Sequence, residues 1–206
     1  RVLDARLEEC DMSQATQTRH GGIFQFEYLT EELLPMVDAA DPRVADLERI
    51  LQEQRLVVGF SMSSELECRP KAVDPFFNEV ACVLECEKIS PDLASNSLMV
   101  RVGNTEFSGH TDILIGQVDA LPLLPFEVKP MTGRHGLKGV QFTQESFSHK
   151  TQIALQCAAF QALCSNSGTQ FSCLLTNLRS LYVVQIKSYD AFTISTRIFK
   201  VVQDGN

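Results

Sequence analysis

Apolar residues recur with two different periods along this chain, and the change between them falls near residue 97. Up to there the spacing is helical. Thr30 followed by Glu31, Glu32, Leu33 and Leu34 offers a capping hydroxyl and then acids for the first turn, which together open a helix. Asp41-Pro42 is a second start, with Asp as cap and Pro at the first helical position. Val44, Leu47, Ile50 and Leu51 follow at helical intervals, and Leu56 to Phe60 reads as a short strand. Asp74-Pro75 opens a third helix, predicted to run to about Lys88 and to end before Ser90-Pro91. On that helix Phe76, Val80, Val83 and Leu84 share one face. Glu87 falls on the same face, Glu79 lies at its margin and Glu85 points away. His20, beside Gly21-Gly22, reads as a loop residue.

Beyond residue 97 the pattern becomes that of strands. Leu98 to Val102 is one, Gly103-Asn104 is a turn, and Phe107 to Gly116 is a second strand with Ile113 and Ile115 on one face. Leu123 to Lys129 is a third, bracketed by Pro122 and Pro125 and closed by Pro130. Residues 131–147 are loop-rich, and a helix is predicted from about His149 to Cys164. Phe171 to Leu175, Leu181 to Ile186 and Ala191 to Val202 complete the strands. The order from residue 75 is α-β-β-β-α-β-β, which implies an α+β (α/β) chain: a mixed central sheet flanked by helices. Residues 1–70 are expected to be a helical accessory region and residues 71–206 the main domain.

Composition narrows the function. Of 206 residues, 44% are apolar and 21% charged, and no apolar run reaches the roughly 18 residues of a membrane span. Eighteen Lys and Arg against 26 Asp and Glu leave a charge of −8. Such a balance argues against coating nucleic acid with a broad basic face, but not against a small site where a metal carries the positive charge. The seven cysteines form no C-x-x-C pair and mostly lie in apolar stretches, so they are read as reduced, buried thiols of an intracellular (nuclear or cytoplasmic) protein. Arg1 is not followed by a charged-then-apolar leader, so no signal peptide is expected in these residues, and a segment of something longer is.

The informative chemistry is Gly109-His110-Thr111-Asp112 followed by Phe126-Glu127-Val128-Lys129. Residues i and i+2 share a strand face, so Glu127 pairs with Lys129 on one side while Phe126 and Val128 enter the core, and His110 shares a face with Asp112. A hairpin centred between Asp119 and Ala120 sets Asp112 opposite Glu127, with Cβ atoms about 4.5–5.5 Å apart. Two carboxylates that close repel unless a cation lies between them. A hard divalent ion held by one or two carboxylates suits the place, and beside it Lys129 would orient a water or offset developing charge. The plain alternative is a surface hairpin with a cross-strand ion pair.

On these residues the chain resembles the PD-(D/E)XK nuclease superfamily: Gly109-x-x-Asp112, then Glu127-x-Lys129 on a buried strand, over about residues 75 to 190. Gln152, in the helix that follows, resembles the Gln of its RecB-like branch. The resemblance implies a restriction-endonuclease-like α-β-β-β-α-β core. It implies that Asp112, Glu127 and the Val128 carbonyl bind Mg²⁺ (or Mn²⁺), that Lys129 and Gln152 act with them, and that a first-helix acid, Glu87 or else Glu79 or Glu85, completes the site. Thr111 stands where the family has Pro, and the branch's Gln-x-x-x-Tyr is here Gln152-x-x-x-Gln156, or Gln156-x-x-x-Phe160. Gly133, Arg134, His135, Gly136 and Lys138 form a short basic stretch beyond Lys129. The expected activity is metal-dependent hydrolysis of DNA or RNA phosphodiesters, with a protein partner for the N-terminal region and no membrane. The alternative is a catalytically inactive module of the same fold used for assembly or nucleic-acid binding in a larger protein. Its support is the acidic charge, the lack of an evident basic groove and the helical N-terminal third.

Overall fold

The computed structural model describes residues 7–29, 41–46, 49–50, 53, 70, 73–89, 98–117, 120–128, 149–163, 171–176 and 181–201. They form a mixed α+β structure with two mixed sheets. The larger sheet contains β2 (Phe24–Leu29), β3 (Glu87–Ile89), β6 (Ile113–Gln117), β7 (Ala120–Val128), β8 (Ser172–Thr176), β9 (Leu181–Tyr189) and β10 (Ile194–Val201). Its order is β2-β10-β9-β8-β7-β6-β3, parallel at β2/β10 and β7/β8 and antiparallel elsewhere. The smaller sheet contains β1 (Glu8–Asp11), β4 (Leu98–Val102) and β5 (Thr105–Gly109), in the order β1-β5-β4. A 3₁₀ turn, Met12–Gln14, and a short helix α1, Gln17–His20, follow β1.

Two longer helices cover the large sheet. On α2 (Asp74–Val83) Phe76, Phe77, Val80 and Ala81 are buried, against Ile113, Ile115, Phe126, Val128 and Leu174 of one sheet face. The alternate residues Cys173, Leu175 and Val184 pack on α3 (Lys150–Leu163) instead. Leu98, Val100, Val102 and Phe107 of the small sheet belong to that same core, so α3 is enclosed between the two sheets. This is why residues 151–160 are buried all round and why the helix lacks a polar stripe. The helix links the parallel strands β7 and β8, which cannot be joined by a tight turn.

Several expectations need correction. Residues 8–29 contain two strands with only short helical turns between them; β1 pairs with β5 and β2 with β10, and Cys10, Met12, Ala15 and Phe24 lie in the α3 core. The helical start at Pro42 is present over residues 42–46, with Asp41 accepting the Arg43 backbone N–H at 2.9 Å. The helix start read at Thr30 and the short strand read over Leu56 to Phe60 fall outside the described residues. The helix expected to reach Lys88 ends at Val83. There the Glu85 N–H donates to the Cys82 carbonyl at 3.1 Å and the Cys86 N–H to the Ala81 carbonyl at 2.8 Å, with Glu85 at φ +54°. This pair of bonds around a left-handed residue stops a helix. Glu87 therefore starts β3, opposite Gly116, and is not on a helix face. The single strand expected over Phe107 to Gly116 is two, β5 and β6, in different sheets.

His20 closes α1 and is buried, not a loop residue. Its Nε2 lies 3.8 Å from Cys10 Sγ, and its ring meets Phe107 edge-on at 5.2 Å between centroids. Burial, with Arg19 adding to it, depresses the imidazole below its usual 6.5. The unfolded chain then binds the proton more readily than the folded one, so stability is lost as pH falls from 6.5 toward the depressed value. Denaturant midpoints measured from pH 7.5 to 5 should show this slope, and His20→Phe should flatten it. Burial likewise raises the Cys10 and Cys173 thiols and keeps them protonated. Cys10, Cys157 and Cys173 fit the expected buried thiols, whereas Cys82 is exposed. No described helix is long and apolar enough to cross a membrane.

Candidate metal centre

The strands β6 and β7 pair in the register expected from sequence: Ile113 with Phe126, Leu114 with Pro125 and Ile115 with Leu124. An irregularity between Ile115 and Gln117 then brings Gln117 opposite Ala120. At the other end the chain bends at Asp112. Its N–H donates to the Phe126 carbonyl at 3.2 Å, and its Oδ2 accepts the Val128 N–H at 2.7 Å. Asp112 is thus fastened to both neighbours of Glu127. The carboxylate takes over a ladder bond where β6 has ended, so it serves the fold as well as the site.

Glu127 is 1% exposed and points toward α3. The Gln152 amide donates to its Oε1 at 2.7 Å and the Gln156 amide to its Oε2 at 2.6 Å. Gln152 and Gln156 are one helical turn apart and so lie on one face of α3. Gln156 Nε2 also donates to the His110 carbonyl at 2.8 Å, which ties α3 to the crossing from β5 to β6. Its two acceptors fix the amide's orientation, and its Oε1 is buried with no hydrogen-bond partner among the described residues. A buried carboxylate needs such donors, since a charge removed from water without them is very costly.

Gly109 has a packing reason to be glycine. A Cβ there would lie 2.9 Å from Met12 Cβ and 3.0 Å from its Cγ and Sδ. Gly109→Ala should therefore cost about 1–3 kcal/mol through overpacking, read as a lower denaturant midpoint.

The sequence-derived site residues are only partly assembled. Asp112, Glu127, Val128 and Gln152 meet at one strand end. His110 is exposed and lies between the two strands, so it does not share a strand face with Asp112; its carbonyl, not its ring, is what the structure joins to the site. Glu79 and Glu85 are exposed, and Glu87 stands on β3. Lys129 and the basic stretch 133–138 lie outside the described residues, as does the side chain of Glu87. The second glutamine, Gln156, was visible in sequence only as a variant of the Gln-x-x-x-Tyr pattern; the stronger signal is two Gln one turn apart in a stretch, 152–160, that is otherwise apolar.

The donors suit a hard divalent ion. Carboxylate oxygens are the ligands such ions take. The unpartnered Gln156 Oε1 beside Glu127 would accept a hydrogen bond from a water on that ion. Among the described residues no three His, Cys, Asp or Glu side chains form a metal-ligating group. No protein-family model matches the chain, and the comparison with curated proteins found no match.

Proposed function

We propose that the chain is a metal-dependent nuclease of the PD-(D/E)XK type, acting on phosphodiester bonds of DNA or RNA. The observation that carries this reading is the junction of β6 and β7. Asp112 is fastened to Phe126 and Val128, on either side of a buried Glu127 whose two oxygens are held by Gln152 and Gln156. The order α2, β3, β6, β7, α3, β8 supports a restriction-endonuclease-like core, with the β4–β5 hairpin set between β3 and β6.

Asp112, Glu127 and the Val128 carbonyl would hold Mg²⁺ or Mn²⁺; Glu87, opposite Gly116 and so about 13 Å along β6 from Asp112 by strand rise, is not placed to join them. An ion bound there would polarise a phosphoryl oxygen and acidify a water. Gln152 orients Glu127, and Lys129, directly after β7, would orient the attacking water or offset charge on the phosphate as it develops.

One observation favours a second reading. A carboxylate 1% exposed and bonded by two amides is also how a purely structural Glu is kept in a core. On that reading the fold is an inactive module used for assembly. Labelled single- and double-stranded DNA and RNA, incubated with Mg²⁺, Mn²⁺ or chelator, separate the two. Cleavage that needs the ion supports the nuclease; intact substrate under every condition supports the module.

A further inference from the structure

We propose that Gln156 is a positioning residue that, together with the bonds of Asp112 to Phe126 and Val128, holds the two acids in place, an inference that rests on the nuclease reading above. One amide nitrogen reaches both halves of the site. It donates to Glu127 Oε2 at 2.6 Å and to the His110 carbonyl at 2.8 Å, two residues before Asp112. Gln152, by contrast, donates to Glu127. Gln156 is fully buried on a helix enclosed by both sheets, so its side chain cannot swing away to water. It therefore transmits the rigidity of α3 to the β5–β6 crossing as well as to β7. The remaining amide atom, Oε1, has no partner among the described residues and faces no competing donor there. An apolar side chain at 156 would release the crossing and one oxygen of Glu127 together. Replacement of Gln152 would loosen Glu127 and leave the crossing tied.

The test uses the full 206-residue chain and the variants Gln156→Met, Gln156→Asn and Gln152→Met. Asn keeps the amide but shortens its reach, so it serves if Met prevents folding. Mn²⁺ affinity is read by paramagnetic resonance of the free ion on protein shown to be folded by circular dichroism. The cleavage KM for nucleic acid and the Mn²⁺ concentration giving half-maximal rate are measured alongside. Loss of an outer residue that orients metal ligands typically weakens metal binding about 10- to 100-fold. The Gln156 variants should fall in that range, with KM for nucleic acid unchanged, and Gln152→Met should lose less. Wild-type Mn²⁺ affinity in a folded Gln156 variant overturns the inference and leaves the nuclease reading standing. A wild-type chain that neither binds Mn²⁺ nor cleaves overturns both.

Discussion

Glu127→Ala is expected to lower the unfolding midpoint sharply and to end cleavage in the same protein. The carboxylate is the acceptor for two buried amides, and a hydrogen bond to a charged group contributes about 1.5–3 kcal/mol. Gln156 keeps the His110 carbonyl, but Gln152 loses the acceptor to which it donates. The truncation also leaves a void between β7 and α3. Together these effects should cost about 3–5 kcal/mol, a large part of the 5–15 kcal/mol that holds a typical domain. Glu127→Gln is gentler, since its one oxygen can still serve one of the two amides while the other meets an NH₂. Chemical denaturation followed by circular dichroism, with cleavage measured on the same samples, checks both variants. A wild-type midpoint for Glu127→Ala would mean that the two glutamine contacts contribute nothing to stability. Sequence alone suggested that this acid serves an ion and not the core; the buried contacts with Gln152 and Gln156 give it a place in the core.

The part of the site that sequence made legible is the part fixed by strand period and register. The pairing of Ile113 with Phe126 follows from two apolar strands that must bury Ile113, Ile115, Phe126 and Val128 on one face, because a slip by one residue would turn them outward. Lys150–Leu163 is legible as a helix, and Gln152 through its resemblance to the Gln-x-x-x-Tyr pattern; that Gln152 and Gln156 are both buried against Glu127 is not, because it depends on the enclosure of α3 between the sheets. What was not legible depended on tertiary bonds without a local marker. Helix α2 ends at a left-handed Glu85 where a glycine would have announced the stop, and so Glu87 was assigned to a helix face. The break at His110–Asp112 arises because β5 pairs in one sheet and β6 in the other, and the intervening residues carry no Pro. The N-terminal strands were hidden for a similar reason. Glu8–Asp11 and Phe24–Leu29 form by parallel pairing with β5 and β10, about a hundred or more residues away, and parallel partners leave no hairpin signal between them.

Asp112→Asn should separate the fold from the chemistry. The Asn side-chain oxygen can still accept the Val128 N–H that Asp112 Oδ2 now accepts at 2.7 Å, and its shape is the same. What is lost is charge assistance to that bond, which puts the stability change at about 1 kcal/mol. The effect on cleavage is of another size. An ion held between two acids loses one of its anionic ligands, and the several kcal/mol that it contributes to the transition state correspond to a rate loss on the order of 10³-fold. The measurement is cleavage rate against Mg²⁺ concentration for the wild type and for Asp112→Asn, each checked for its unfolding midpoint. A variant with a near-wild-type midpoint and no cleavage at any Mg²⁺ concentration assigns Asp112 to the ion. If it cleaves normally while chelator still stops the reaction, the ion is held elsewhere. If stability and cleavage fall together, the carboxylate's main task is the strand junction it closes at Val128, and the nuclease reading loses its second acid.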